Sequence, residues 1–428
     1  MPHAFPGFDR LRLRNVRCFR DAEVPLDRRV TVIVGGNAAG KTTVLEALAS
    51  LTHGHGEGLK NFPLRHRAKR GEIALYETGR VPSAARWDSG QTPRNRLPND
   101  RFVFLYGRYR RVLFPGLDDM SLAPRNLTDA QYLDELASHA ATSRTTTLTR
   151  PDNRLLNDLA GYLRGIHFGR DSDPRLEKLW SRLNKALPQM DPSLAGIQME
   201  KGPYHFIPKV VRNGVALELT ELSDGYQALL VVVLDLMLRY QYLFFEGEPL
   251  AGRALVGIDE IDLHLHPRWQ RTVLPQLTDL FPNTQFVVTT HSPIVVQAAI
   301  DQRFSVIRLV ESRGDVTVEP LPSRLMKSLR GAEVGSLLFE KDLFGVESRF
   351  SVEFGKTEKR VKDLQAKLST GEPTGNDYLE LKKGLNKLEE LVAKEDRRRG
   401  DGSTMAQMVH MQATFVKALA DELENARK

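Results

Sequence analysis

The stretch Thr31-Val-Ile-Val-Gly35-Gly-Asn37-Ala38-Ala39-Gly40-Lys41-Thr42-Thr43 constrains the fold of this chain more than any other. A β-branched run ends in a glycine turn. Lys-Thr-Thr then opens a segment with Val44, Leu45, Leu48 and Leu51 at helical spacing. Strand, glycine loop and helix in that order match G-x-x-x-x-G-K-[ST]. Small residues let backbone N–H groups curl round phosphates, and the new helix turns its positive end to the same spot. Lys41 brings a point charge to the β- and γ-phosphates, and the Thr42 hydroxyl is a ligand type that suits Mg²⁺. The predicted nucleotide loop comprises Gly35, Asn37, Ala38, Ala39, Gly40, Lys41, Thr42 and Thr43.

A length of 428 residues allows one large domain or two. Hydrophobic content of 41% and charged content of 27% are those of a water-soluble globular chain. A net charge of +7 is compatible with an acidic partner without requiring one. Cys18 is the single cysteine, so neither an intrachain disulfide nor a cysteine metal cluster forms, which suits a reducing cytoplasm. Residues 1–10 lack the apolar core of a signal peptide. The most apolar run, Ala228 to Leu238, is interrupted by Asp235 and is too short to span a bilayer. No solenoid repeat is present.

Alternation over Leu11–Val16, an apolar patch near Val24 to Leu26 and the run Val30–Val34 predict three strands. Residues 52–70 are irregular and basic, with Lys60, Arg65, Arg67, Lys69 and Arg70. They read either as a solvated face or as a phosphate or nucleic-acid contact. A strand is expected near 71–76 and a loop over 79–100, which is rich in Pro, Ser, Gly and Asn. Arg101–Tyr106 reads as a strand that ends in Gly107, Arg108, Arg110 and Arg111. Apolar stripes between about 125 and 190 (Tyr132, Leu133, Leu136; Leu155, Leu156, Leu159; Leu176, Leu179, Leu183) predict a helical insertion. Strand-like alternation returns over Asp191–Leu219.

Three carboxylate- or hydroxyl-bearing stretches and one histidine pair follow. Glu221-Leu-Ser223-Asp224-Gly225-Tyr-Gln227 precedes an apolar helix, so Ser223 is placed either as an N-cap or at an anion site. The strand Ala254–Ile258 ends in Asp259-Glu260. The first carboxylate suits Mg²⁺ and the second suits a water-activating base. His264-x-His266 has no third ligand nearby, which argues against zinc. A further strand ends in Thr289-Thr290-His291-Ser292-Pro293, with His291 either a γ-phosphate sensor or an ordinary loop residue. Strands at Phe304–Val310 and Val316–Val318 would close the sheet. Beyond about 330 the chain is charged and helical, with narrow stripes at Leu364, Leu368, Leu381, Leu385, Leu388 and Val392. These predict a hairpin, a solvated turn at Arg397–Arg399 and a last helix over 405–426.

The order of phosphate loop, Ser-Asp-Gly helix start, Asp-Glu strand end and Thr-Thr-His strand end resembles the ATP-binding-cassette type of ATPase head, as in SMC, RecF and OLD-family proteins. Asn15-Val-Arg17-Cys-Phe19 ahead of the loop and Asp259-Glu260-Ile-Asp262-Leu-His264-Leu-His266-Pro267 are similar to that branch over about residues 8–312. Ala38 departs from the glycine usual there. Leu105-Tyr106-Gly107-Arg108 resembles the segment that short prokaryotic defence ATPases carry in place of the Q-loop. The resemblance implies an α/β fold: a P-loop mixed sheet with an antiparallel β subdomain. It implies an ATPase head at 1–328 with a helical extension at 329–428. ATP and Mg²⁺ are the implied cofactors, with Thr42 and Asp259 on the metal and Lys41, Glu260 and His291 as catalytic residues. Ser223, Asp224 and Gly225 would face the nucleotide of a second copy in a homodimer or higher oligomer. Too few positions separate Lys41 from Ser223 for a long coiled-coil arm, and residues 330–428 lack a carboxylate-rich nuclease pattern. The chain is therefore most similar to stand-alone ATPase subunits of bacterial anti-phage systems of the Septu type. That similarity implies a separate effector, such as an HNH nuclease. A RecF-like DNA-binding repair ATPase is the alternative, with nucleic acid as partner. No membrane partner is expected, and a transporter subunit would read Asp-Glu-Pro-Thr at residues 259–262.

Overall fold

The computed structural model describes residues 7–26, 29–51, 63–91, 102–108, 160, 163–202, 206–244, 249–312, 314–332, 334–340, 343–344, 352–370 and 375–399. The chain divides into two compact units, Met1–Leu337 with Asp342–Phe344, and Leu338–Lys341 with Gly345–Lys428.

In the first unit, β1 (Phe8–Val16) and β2 (Phe19–Pro25) lead to β3 (Val30–Gly35) and α1 (Lys41–Leu51). Next come β4 (Arg70–Glu77), β5 (Ser83–Asp88), β6 (Val103–Tyr106) and α2 (Pro174–Met190). A three-stranded antiparallel meander follows: β7 (Leu194–Lys201), β8 (Phe206–Arg212) and β9 (Val215–Glu218). The remainder is α3 (Asp224–Leu243), β10 (Ala254–Ile258), α4 (Pro267–Leu280), β11 (Thr284–Thr289), α5 (Pro293–Asp301), β12 (Ser305–Ser312), β13 (Asp315–Pro320) and α6 (Ser323–Leu329).

The central sheet has six strands in the order β13-β12-β3-β11-β10-β6. All neighbours are parallel except β12 and β13. Alternating side chains feed two separate cores. Ile33, Leu105, Leu255 and Val287 point to the face covered by α1 and by a four-stranded antiparallel sheet ordered β2-β1-β4-β5. Val32, Tyr106, Val256, Ile258 and Val288 point to the face packed by α3, α4 and α5. Both faces are therefore buried, which is why β10 and β11 read as unbroken apolar runs rather than alternating ones. The α/β fold with its antiparallel sheet is the one the motif order led us to expect.

The loop expected over 79–100 is corrected in part. Residues 83–88 form β5, paired antiparallel with β4 from Arg70↔Asp88 to Leu75↔Ser83. Only Ala85 and Trp87 of β5 are buried, so its period-2 signal is two residues long and flanking Pro, Ser and Gly obscure it. The stripes at 132–136 and 155–159 and the helix expected at 405–426 lie outside the described residues, as do Lys60, Arg110 and Arg111. Residues 163–169 and α2 are helical.

In the second unit, α7 (Val352–Thr370) and α8 (Gly375–Arg399) pack as a hairpin. Gly384 permits the close approach, since a Cβ there would lie 2.8 Å from Val361 Cγ2. Arg360–Glu380 and Lys367–Asp377 pair across the two helices at 3.0 and 2.7 Å. Arg397–Arg399 continues α8 rather than forming the expected turn. Arginine is a good helix former, and positive charge is favourable at a helix C-terminus.

Trp87 is 3% exposed and fills the space between β5 and α1's core. Trp87→Ala should lower the unfolding free energy by about 3–5 kcal/mol in denaturant titration. A loss below about 1 kcal/mol would show that β5 is not an integral strand of that sheet.

Candidate nucleotide and catalytic site

The loop 36–40 joins the C-terminal end of β3 to the first turn of α1. Gly35 lies against β12, where a Cβ would meet Leu309 O at 2.9 Å. Gly40 has φ +90°, and its Cβ would strike Cys18 Sγ at 2.7 Å and the Phe19 ring at 2.9 Å. Nothing stands within 4 Å of the Cβ position of Gly36, so that side of the loop is open. Ala38 has φ +63°. This left-handed conformation costs alanine strain that glycine would not carry, which explains why glycine is the residue usual there.

Lys41 is 7% exposed and donates from Nζ to the carbonyls of Gly35 and Gly36 at 3.0 and 2.9 Å. Burial holds its pKa below the usual lysine range, against the raising effect of Asp259, Glu260 and Asp262. The Thr42 hydroxyl donates to Asp259 Oδ2 at 2.9 Å. Thr289 Oγ1 donates to Asp259 Oδ1 at 2.6 Å and accepts from the backbone N–H of Glu260 at 2.8 Å. The Asp259 N–H donates to the Tyr106 carbonyl at 2.8 Å. Thr42 and Asp259 thus place two hard oxygen donors side by side at a helix N-terminus, a set that fits Mg²⁺. Glu260 is half-buried, with φ +47°, a sparsely populated conformation for a residue with a Cβ.

The loop after β11 is tied to the loop after β10. Thr290 Oγ1 donates to Asp262 Oδ1 at 2.5 Å, and the His291 N–H points at the same oxygen at 3.4 Å. The His291 side chain is exposed. Ser292 caps α5 by accepting from Ile294 N and Val295 N, and it donates to Gln270 of α4 at 2.6 Å. His266 caps α4 by accepting from Arg268 N. Among the described residues no group of three or more metal-ligating side chains occurs.

At the start of α3 the hydroxyl of Ser223 makes no cap bond and is exposed, so the N-cap reading of Ser223 is corrected: it holds the position without the interaction. Asp224 opens the helix and is half-buried. Gly225 is buried against the loop that follows Glu260, where a Cβ would fall 2.4 Å from the His264 carbonyl. Tyr226 donates to Asp191 Oδ2 at 2.8 Å, and the Trp269 indole donates to the same oxygen at 2.9 Å. Burial pushes the Asp191 carboxyl up. The donors of Ser193, Tyr226 and Trp269 outweigh it and hold the group below the usual carboxylate range.

Sequence reasoning missed several members of this constellation. Arg17, in the turn between β1 and β2, bonds Thr43 Oγ1 at 3.3 Å and pairs with Glu46 of α1. Thr289, Asp262 and Gln270 bridge the loops. Arg17, Thr289 and Asp262 stood inside noticed motifs and Gln270 did not, and none of these partnerships follows from spacing. Two residues of the basic stretch are paired within the fold, Arg65 with Asp315 at 3.0 Å and the more exposed Arg70 with Asp88 at 3.1 Å.

A family model described as "AAA domain, putative AbiEii toxin, Type IV TA system" matches residues 30–297, more than half of the chain. The chain belongs to that family. It therefore carries an AAA-family ATPase domain, and the loop, Asp259 and Glu260 all fall within the matched residues. Curated relatives include "Retron Vc95 probable ATPase" of Vibrio cholerae serotype O1 biovar El Tor, 39% identical over 110 residues, or 26% of this chain and 21% of that one. "Septu protein PtuA" of Bacillus mycoides (strain KBAB4) is 32% identical over 182 residues, or 39% of this chain and 24% of that one. The chain thus spans about a quarter or less of the length of these two relatives. Among solved structures, "Crystal structure of the SmcHead bound to the C-winged helix domain of ScpA" aligns with 75% of this chain and 100% of its own, at TM-score 0.45 and 16% identity. "Structure of the recombination mediator protein RecF-ATPrS in RecFOR pathway" aligns with 74% and 99%, at 0.40 and 14%.

Because the folded pKa of Asp191 is depressed, its stabilisation is present above the unfolded value near pH 4 and is lost as pH falls through the folded value. Asp191→Asn should be less stable than the wild type at pH 7, with the gap closing in acid titrations of unfolding as pH falls below the usual carboxylate range. A gap that persists undiminished at pH 2 would show that the carboxylate charge is not what the site uses.

Proposed function

We propose that this chain binds Mg·ATP at the 36–42 loop and hydrolyses it, with Glu260 as the general base. The observation that carries this is the Thr42–Asp259–Thr289 chain of hydrogen bonds, which sets the Thr42 hydroxyl, the Asp259 carboxylate and the Glu260 backbone in one cluster. Loop N–H groups and the start of α1 would hold the phosphates. Lys41 would turn from the loop carbonyls to the phosphate oxygens. Bound Mg²⁺ would neutralise developing charge on the β- and γ-phosphates, held by Thr42 and Asp259. Glu260 would take the proton of the attacking water, and His291 would stand at the γ-phosphate side.

The exposed, uncapped hydroxyl of Ser223 supports a dimer in which each copy completes the other's site. ATP would then join two heads, and hydrolysis would release them. The names of the retron and Septu relatives support a role in anti-phage defence, in which the ATP state of the dimer governs a separate effector protein, such as an HNH nuclease. The hairpin of the second unit is a candidate surface for that effector or for a second copy. The RecF-like alternative is weakened by the ion pairs that engage Arg65 and Arg70. DNA-independent ATPase rates would dismiss it.

Lys41→Ala should raise the Kd for ATP at least about tenfold, since it removes a charge-assisted phosphate contact. Glu260→Gln should bind ATP like the wild type, turn over about 10²–10⁴ times more slowly and accumulate as a dimer in ATP by light scattering. Normal turnover in Glu260→Gln would end the general-base assignment. An ATP-loaded variant that stays monomeric would end the dimer model.

A further inference from the structure

The stretch Leu105-Tyr106-Gly107-Arg108 has no role in the scheme above, yet Tyr106 touches both halves of it. Its carbonyl accepts the N–H of Asp259 at 2.8 Å. Its phenol donates to Asp235 Oδ2, on α3, at 2.6 Å. Arg239, one turn further along α3, donates from Nε to the same oxygen at 2.6 Å. Tyr106 is 1% exposed, Asp235 7% and Arg239 0%. Around them the core is apolar: Phe104, Leu236, Tyr240 and Val256 belong to the same cluster.

We propose that Tyr106 is a positioning residue that couples the strand end carrying Asp259 to the helix that begins at Ser223. The proposal rests on the ATPase reading above. Three buried polar groups in an apolar core are a poor way to gain stability, because desolvation of an ion pair consumes most of what its attraction returns. A leucine and a phenylalanine would fill the same volume. What the network adds is direction: a phenol–carboxylate bond has one geometry, whereas apolar contacts slide. Burial and the Asp235 charge push the Tyr106 phenol far above its ordinary range, so it remains a donor at every working pH.

The coupling has a second point of attachment. At the start of α3, Gly225 sits against the His264 carbonyl so closely that a Cβ would fall 2.4 Å from it. The helix is therefore held to the stretch flanking Asp259 and Glu260 twice: at its first turn by the loop that follows, and at its fourth turn through the strand beside. A helix pinned at two points moves as a rod. A displacement of the Asp259 strand end, as a metal or phosphate settles there, would carry Ser223 with it. Each site would then report its state to the surface that a second copy meets.

The test compares wild type, Tyr106→Phe and Asp235→Asn as full chains. Asp235→Asn retains an acceptor for the phenol and removes the charge. Peptide-level hydrogen exchange over residues 222–230 and 257–265 is measured beside steady-state ATP turnover and thermal unfolding. In Tyr106→Phe we expect exchange to rise at least threefold in both segments, and kcat to fall about tenfold or more with KM for ATP changed less than threefold. A purely structural tyrosine would lower the Tm without splitting kcat from KM. Faster exchange confined to 102–108 with unchanged kcat overturns the proposal. Exchange is read whether or not the protein turns over ATP. A wild type without ATPase activity would therefore end the ATPase reading while the exchange arm still decides the coupling. If Tyr106→Phe does not fold, Asp235→Ala, which removes the phenol's acceptor, decides by the same two readouts, with the same rise in exchange and fall in kcat expected.

Discussion

Asp259 is the interaction on which the rest of the site depends. The carboxylate is 3% exposed at the end of a strand buried on both faces. A charge in that position is tolerable only when its oxygens are bonded. Thr42 takes one oxygen and Thr289 takes the other. These two threonines come from the first turn of α1 and from the end of β11, so the carboxylate holds α1, β10 and β11 in one register.

The two cores explain how the register survives. On one face α1 is clamped between the central sheet and the antiparallel sheet, which fixes the direction of its N-terminus and hence of the phosphate loop. On the other face α3, α4 and α5 share a core, so the loops following β10 and β11 are held by helices that also hold each other. Gln270, which accepts from Ser292 and donates to the Leu265 carbonyl, is the polar stitch between those loops. The outer face of the antiparallel sheet carries the exposed arginines, paired as Arg12–Asp21 at 2.8 Å and Arg86–Glu72 at 2.6 Å. Such exposed pairs contribute little stability, but they lower the net field available to a polyanion.

Legibility tracked the locality of the signal. Ala254–Ile258 and Val30–Gly35 were readable because a strand buried on both faces has no polar alternation to interrupt it. The glycine loop was readable because its chemistry is contiguous in sequence. β5 was not, because two buried residues make no pattern until β4 lies beside them. The N-cap reading of Ser223 was reasonable on composition and fails in the fold, because its hydroxyl lies exposed without bonding the helix's free N–H groups. Arg397–Arg399 looked like a turn because like charges suggest solvent, yet arginine is equally at home at a helix end.

The sequence by itself determined the chemistry: a phosphate loop, a carboxylate pair, a threonine–histidine strand end and an α/β frame, each written in consecutive residues. The tertiary structure alone decided which of these groups touch. Thr289 finds Asp259 across 30 positions, Arg17 finds Glu46 across 29, and Tyr106 finds Asp235 across 129. Such pairings are set by strand order and by the face on which each side chain emerges, and a linear pattern holds no record of strand order.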